Sequence, residues 1–529
     1  MEENQLSDPA KYIGLHSGKQ SGPALAKGVM ALLFTAAFLS LLWPLAIRGS
    51  AYIFPDSVPY ISGAAVGFET LFGWDISTYK ALGATGAESP PKADDLAPTD
   101  QNTGAPPGNA AMASAPLNVD NGISTARSIY FGAVAFLSYE ALGNLGLPVL
   151  NALVLTALVA LTAACTIGRL WVGPCAILVL SLLTPLPFFV CFLMPDLYAG
   201  ITILCMALIF AYPDRLKRWT WVTLAALLCV LSTFHTGFLL LIWASAAAGA
   251  LLALIQKGRL PRRGLTIVLL ATVSTIAADR TAGFLIQQYT GAARTPVPFL
   301  ASRLIADGPG YRYLEETCPQ SQNIYCAYLD RMPAEEILQG AGGWYATTFL
   351  WSPNTRFGVY NTVSVAERRQ MGAEQFDFTL AVVRHDPLGV AVSSLCNTAA
   401  QMAKTGLSEF YDLNIGQAVS QKLGADLRLV TLQQDEYRAA VKGLEVVHAF
   451  AFWGAICFVI GVWLSVRKRQ TDALLSRLLL FGGIILFGLL ANAAIHGTLS
   501  GAFPRYQARV LWLPVLAAIL ILTRPRKTA

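Results

Sequence analysis

Ten mostly apolar runs of 16 to 22 residues recur along this 529-residue chain, at 28–47, 147–168, 173–194, 197–212, 219–234, 237–255, 265–286, 446–466, 476–496 and 508–523. About 20 apolar residues in a helix cross a bilayer core. Lipid offers the backbone no hydrogen-bonding partner, so runs of this kind must be helical. Composition agrees, with 54% of residues hydrophobic and 13% charged, roughly half the charge of an average soluble domain. These features exclude an ordinary soluble enzyme and a disordered chain. The predicted fold class is an all-α polytopic membrane protein with about 10 transmembrane helices.

Basic residues set the orientation. With the N-terminus (1–27) placed in the cytoplasm, the inner segments are 1–27, 169–172, 213–218, 256–264, 467–475 and 524–529. Every one carries Lys or Arg, including Arg169, then Arg215, Lys217 and Arg218, then Arg262 and Arg263, then Arg467, Lys468 and Arg469. The first outer loop, 48–146, has four basic residues against nine acidic ones. Residues 1–27 are polar and the first apolar run is long enough to span, so no cleavable signal peptide is expected. The expected location is a bacterial inner membrane, with both termini cytoplasmic and the long loops periplasmic.

Two long segments then lie outside. Loop 48–146 contains 84–121, rich in Ala, Pro, Gly, Asp and Asn, which reads as a disordered insert. Residues 58–73 and 125–142 flank it and read as two helices lying on the membrane surface. Ser57 is the expected N-cap of the first, with Pro59 in its first turn. The alternative makes 129–146 an extra span and spoils the charge pattern. Residues 287–445, between spans 7 and 8, read as a mainly helical outer domain, with helical periodicity around 363–383, 387–404 and 432–446. Residues 446–529 carry the last transmembrane helices. Cys318 and Cys326 enclose a short polar stretch and are expected to form a disulfide outside the cytoplasm. Cys396 is expected to be buried, and the other six cysteines fall in apolar runs. No basic stripe interleaved with aromatics suggests nucleic acid.

Ionisable residues near membrane depth mark function, and here they collect at one face. They are Asp56 after the first span, Asp196, His235, Asp279 and Arg280, His496, and then Arg505, Tyr506 and Arg509. Each also has a structural reading. Asp196 can be the N-cap of the fourth span, and His235 a turn residue bonded to backbone. Asp279 and Arg280 point to different sides of a helix. Arg505 and Arg509, one helical turn apart, can anchor lipid headgroups or clamp a phosphate. As functional groups, an outward carboxylate supplies a general base and outward arginines neutralise a departing phosphate. No nucleotide-binding motif occurs, which favours a lipid-linked donor.

In layout, with Asp56-Ser57-Val58-Pro59-Tyr60 after the first span and Arg505-Tyr506 before the last, the chain resembles the GT-C class of integral-membrane glycosyltransferases. The resemblance implies a polyprenyl-phosphate-linked sugar donor and an envelope glycan, lipid or protein acceptor. It implies that Asp56 is the catalytic base. Arg127, Asp196, His235, Arg280, Arg505, Tyr506 and Arg509 then line the site or hold phosphate. The class often pairs the first-loop acid with a second one. Here Ser57 follows Asp56, and Glu69 and Asp75 come too late, so no metal ligand is assigned and no cofactor is required. The competing expectations are a glycolipid or polysaccharide transporter or flippase, and a scaffold of an envelope-polysaccharide assembly complex.

Overall fold

In the computed structural model, residues 23–75, 123–124, 127–255, 262–291, 294–318, 320–411, 434–466 and 473–525 are described. The 84–121 insert falls outside them, as do most of the N-terminal segment and the basic run 467–469. Nearly all regular structure among these residues is helical, as expected of a chain this poor in polar side chains.

The helices among the described residues that the site depends on, up to the second domain and through it, take the labels α1 to α12. They are α1 (Pro23–Ser40), α2 (Ser57–Phe72), α3 (Ile129–Leu142), α4 (Gly146–Ile167), α5 (Val172–Leu183), α6 (Leu197–Ala211), α7 (Arg218–Phe234), α8 (Thr236–Ile255), α9 (Arg262–Thr290), α10 (Phe299–Ala306), α11 (Val365–His385) and α12 (Pro387–Ala403). The chain then returns to the bundle through α13 (Gln434–Val466), α14 (Ala473–Leu499), α15 (Pro504–Ala508) and α16 (Trp512–Leu522). Among the described residues, six stretches are long and apolar enough to cross a membrane: Ile129–Ile167, Thr236–Ile255, Arg262–Tyr289, Gln434–Val466, Ala473–Leu499 and Pro504–Leu522. Four shorter apolar helices accompany them: Ala26–Ser40, Val172–Leu183, Leu197–Ala211 and Arg218–Phe234.

The expected spans shorten for identifiable reasons. The first helix of the run 173–194 ends at Leu183, before Pro185 and Pro187; a five-residue helix, Leu186–Val190, follows, and then a turn with the single bridge residue Phe192. The 15 residues of α6 are all buried. That helix is sheathed by protein, with α8 and α14 packed against it, so its length need not match the lipid. The stretch Ile129–Ile167 is also not one rod. Gly143, at φ 58°, breaks it, and a three-residue 3₁₀ turn leads into α4. A Cβ on Gly146 would lie 1.7 Å from the carbonyl oxygen of Ser138, so only glycine allows this fold-back. α3 packs along α2, which pairs the two helices expected on the membrane surface. Asp56, rather than Ser57, precedes the first turn of α2, and Ser57 Oγ accepts from the Phe54 N–H at 3.0 Å.

A second hydrophobic core is formed by residues between Val297 and Val382, narrower than the expected 287–445. Leu407, Phe410, Tyr437 and Val441 belong instead to the bundle core, because α9 and α13 extend beyond their apolar runs. The periodicity at 363–383 and 387–404 corresponds to α11 and α12, and Cys318 is bonded to Cys326. Cys396 is exposed rather than buried. Its neighbour Asn397, and Gln401 one turn on, pack against the bundle instead. Cys457 is likewise exposed on α13, where an apolar environment is expected to be lipid rather than protein. A two-residue parallel pairing of Ile123–Ser124 with Arg294–Thr295 links the first loop to the second domain.

The Gly146 contact yields a test. Gly146→Ala should cost about 1–3 kcal/mol through overpacking against backbone, seen as a lower melting temperature in detergent. Gly67→Ala, in open space on α2, should be neutral or stabilise by up to about 1 kcal/mol through helix propensity. Equal effects of the two changes would show that α3 does not fold back on α4.

Candidate functional site

The site starts from one short piece of strand-like pairing. Tyr52 forms an isolated parallel bridge with Phe192; its N–H donates to Cys191 O at 2.8 Å, and the Leu193 N–H donates to Tyr52 O at 2.9 Å. Parallel pairing advances both chains in step, so Asp56 and Asp196, each four residues past the bridge, emerge at the same end of the bundle. That end also carries the second domain.

Asp196 is buried at the start of α6 but makes no cap hydrogen bond with its side chain, so it is not a simple N-cap. Its Oδ1 accepts from Arg509 Nη1 at 3.1 Å, and both side chains are below 5% exposed. Arg509 Nη2 reaches Asn492 Oδ1 at 3.0 Å and His496 Nε2. Asn492 in turn donates to Tyr506 O at 2.6 Å and Gln507 Oε1 at 3.1 Å. Arg509 is therefore held by three side chains from α14 and the start of α6. His235 sits in extended conformation between α7 and α8, with Nδ1 accepting from the Gly237 N–H at 3.0 Å. Its ring lies 5.8 Å from that of His496, which stacks on Tyr506 at 4.7 Å. A Cβ at Gly237 would come within 3.0 Å of both histidine rings; glycine there lets the pair approach.

Arg505 contrasts with Arg509. It is 8% exposed, and its guanidinium lies over the Phe54 ring at 4.2 Å and the Tyr506 ring at 5.0 Å. Nη2 donates to the Tyr506 hydroxyl at 3.3 Å, while Nε and Nη1 are buried with no hydrogen-bond partner among the described residues. A buried guanidinium with two unused donors is costly without an anion. Asp56 is paired with Arg127 at the more exposed edge of this region, their side chains 15% and 27% exposed, and Arg127 lies 5.9 Å over the Trp351 ring of the second domain. Tyr60 is buried among these charges. Burial pushes its phenol well above the usual range, and the charges of Arg127, Asp56, Asp196 and Arg505 all act on it.

Asp56, Arg127, Asp196, His235, Arg505, Tyr506 and Arg509 are thus brought together. Arg280 is not: it is exposed on α9, nearly three turns before the helix ends, and no contact among the described residues joins it to the cluster. Four residues not singled out in the sequence complete the arrangement. Glu409 faces Arg505, and burial pushes its carboxyl above the usual range against the pull of that arginine. Glu445 holds the turn that carries Glu409, accepting from the Leu407 N–H and the Tyr411 hydroxyl. Gln401 clamps the backbone of Phe503 in both directions, at 2.9 and 3.0 Å, two residues before Arg505. Asn492 is the fourth, and a lone Asn in an apolar run was the one available signal for it. Among the described residues, no group of three or more His, Cys, Asp or Glu is placed to hold a metal ion.

The Asp196–Arg509 pair has a testable energetic signature. Removing one partner of a buried pair leaves an uncompensated charge, costing about 3–5 kcal/mol. Asp196→Leu and Arg509→Met should each lower the melting temperature sharply, and the double substitution should recover part of the loss. Additive losses would show that the two side chains do not depend on each other. No protein-family model, curated protein or solved structure matches the chain.

Proposed function

We propose that the protein is a membrane glycosyltransferase. It would move a sugar from a polyprenyl-phosphate donor to an envelope acceptor, a glycan, lipid or protein, at the periplasmic face of a bacterial inner membrane. The observation that carries this reading is the pairing of opposites in one region. A positioned carboxylate, Asp56, stands at the more exposed edge, and a buried guanidinium with two unused donors, Arg505, lies behind it. Both are at one end of an apolar bundle, where a lipid phosphate would arrive from the side.

In this mechanism Asp56 accepts the proton of an acceptor hydroxyl. The hydroxyl oxygen attacks the anomeric carbon as the bond from that carbon to the phosphate oxygen breaks, with inversion. The electron pair leaves with the lipid phosphate, whose charge Arg505 receives through Nε and Nη1. Such preorganised donors act where charge develops. Arg127 orients the Asp56 carboxylate. Arg509, its terminal nitrogens already engaged, is a positioning residue that fixes the chain on which Arg505 and Tyr506 sit. His235, His496 and Tyr506 form the wall. This division of labour narrows the two-arginine clamp suggested by the sequence to one phosphate ligand and one support.

The test is incorporation of labelled sugar from a pool of polyprenyl-phosphate sugars into envelope material, at matched protein abundance. Asp56→Asn should lower turnover at least ~10²-fold, the lower end for loss of a general base. Arg505→Gln should lower it ~10²- to 10³-fold, as for loss of an oxyanion donor. Near-normal turnover with Asp56→Asn would remove the proposed base.

A further inference from the structure

The opposite end of the bundle carries a second arrangement of charge. α6 separates it from Asp196 by roughly 22 Å, the length of a 15-residue helix. Basic residues here fall into two groups. Some are spent on helix carbonyls: Arg215 Nη1 donates to Cys165 O at 3.1 Å and Thr166 O at 2.8 Å, ending α4, and Arg524 Nη1 donates to Ile521 O at 2.7 Å, ending α16. The others face a cleft of about 550 Å³ lined by Lys217, Arg218, Arg262 and Arg263, with Asp214 as its one carboxylate. That carboxylate is already taken, bound by Arg477 Nη1 at 2.8 and 2.7 Å. Lys217, Arg218 and Arg262 pair with no carboxylate among the described residues. The cleft is built rather than incidental, because Arg263 Nη1 is fixed on Pro213 O at 3.3 Å and Leu216 O at 3.2 Å.

Its walls add to the charge. α7 and α9 are joined through the antiparallel α8, pack together, and both begin at the cleft. Neither has an acidic residue in its first turn, and Lys217 before α7 makes no side-chain cap. The positive ends of two helix dipoles therefore reinforce the four cations. Beside Arg218, Trp219 is 78% exposed. Exposed tryptophan at the end of an apolar helix is characteristic of the headgroup level of a bilayer, which places the cleft where lipid phosphates lie.

We infer that this cleft binds the phosphate headgroup of an anionic phospholipid, held by Lys217, Arg218 and Arg262 with Arg263 as its fixed floor. The site is independent of the Asp56 region. Basic pockets between membrane helices suit such headgroups, and among the described residues no carboxylate pairs with three of the four cations.

The test uses the purified full chain, stripped of lipid in detergent, with native mass spectrometry after mixing with equimolar phosphatidylglycerol and phosphatidylcholine. The wild type should retain phosphatidylglycerol selectively. Lys217→Gln/Arg218→Gln/Arg262→Gln should lower that retention at least ~10-fold, and Arg356→Gln/Arg369→Gln/Arg384→Gln, which removes the same charge from exposed positions on the second domain, should leave it unchanged. Equal losses in the two triple variants, or no preference of the wild type for phosphatidylglycerol, would overturn the site. A third arm adds inorganic phosphate at millimolar concentration. Displacement of the lipid by it would show that the cleft takes soluble phosphate and would overturn the lipid assignment. If the first triple variant does not purify as a monodisperse species, Arg262→Gln alone decides, with a loss of at least ~3-fold expected.

Discussion

The buried pair between Asp196 and Arg509 is the constraint on which the rest of the domain-bearing end depends. It joins residues 313 positions apart, the first turn of the enclosed α6 and the link between α15 and α16. Taking two charges out of water is expensive unless they are well satisfied; Asn492 and His496 engage the second terminal nitrogen of Arg509, while its Nε has no partner among the described residues. The network fixes where the chain turns before α16, and that turn carries Tyr506 and Arg505. Asp196 is thereby taken up by Arg509, while Arg505, which Glu409 faces, keeps two guanidinium donors unspent.

The second domain takes part in the same geometry. α12 lies against α14, and the Asn397 carbonyl would contact a Cβ on Gly497 at 2.7 Å. Arg303, Asp307 and Asn397 form a closed polar triangle that ties α10 to α12. From α12, Gln401 grips Phe503 and Lys404 Nζ reaches Ala502 O at 2.6 Å. The loop before Arg505 is thus held from the domain side, and Arg127 under Trp351 makes a second link. A change in how the domain sits would move Arg505 and Arg127 together.

Much of this was legible in the sequence because hydrocarbon is an unforgiving solvent. Apolar runs, basic flanks and the few ionisable residues at run ends led directly to the helical bundle and to Asp56, Asp196, His235, Arg505 and Arg509 as neighbours. What failed to show has physical causes. Helix ends inside the 173–194 run depend on proline placement and on a bridge to Tyr52 that no local pattern announces. Glu409 and Gln401 lie in a polar region, where one more carboxylate or amide carries no signal. The difference between Arg505 and Arg509 is a matter of which partners reach them, and residue type and spacing are the same for both. Arg280 looked equivalent to the cluster only because its depth in the membrane matched, while its helix face points elsewhere.

The central claim is that one carboxylate at the more exposed edge of this region drives sugar transfer. It is tested most directly by a mass-spectrometric profile of envelope glycans and glycolipids. The comparison is between wild type, a deletion strain, and the deletion carrying Asp56→Ala at matched membrane abundance. The account predicts that the same sugar mass is missing from the deletion and from the Asp56→Ala strain, and that mass identifies the transferred sugar. A profile altered by the deletion but restored by the Asp56→Ala chain would contradict it.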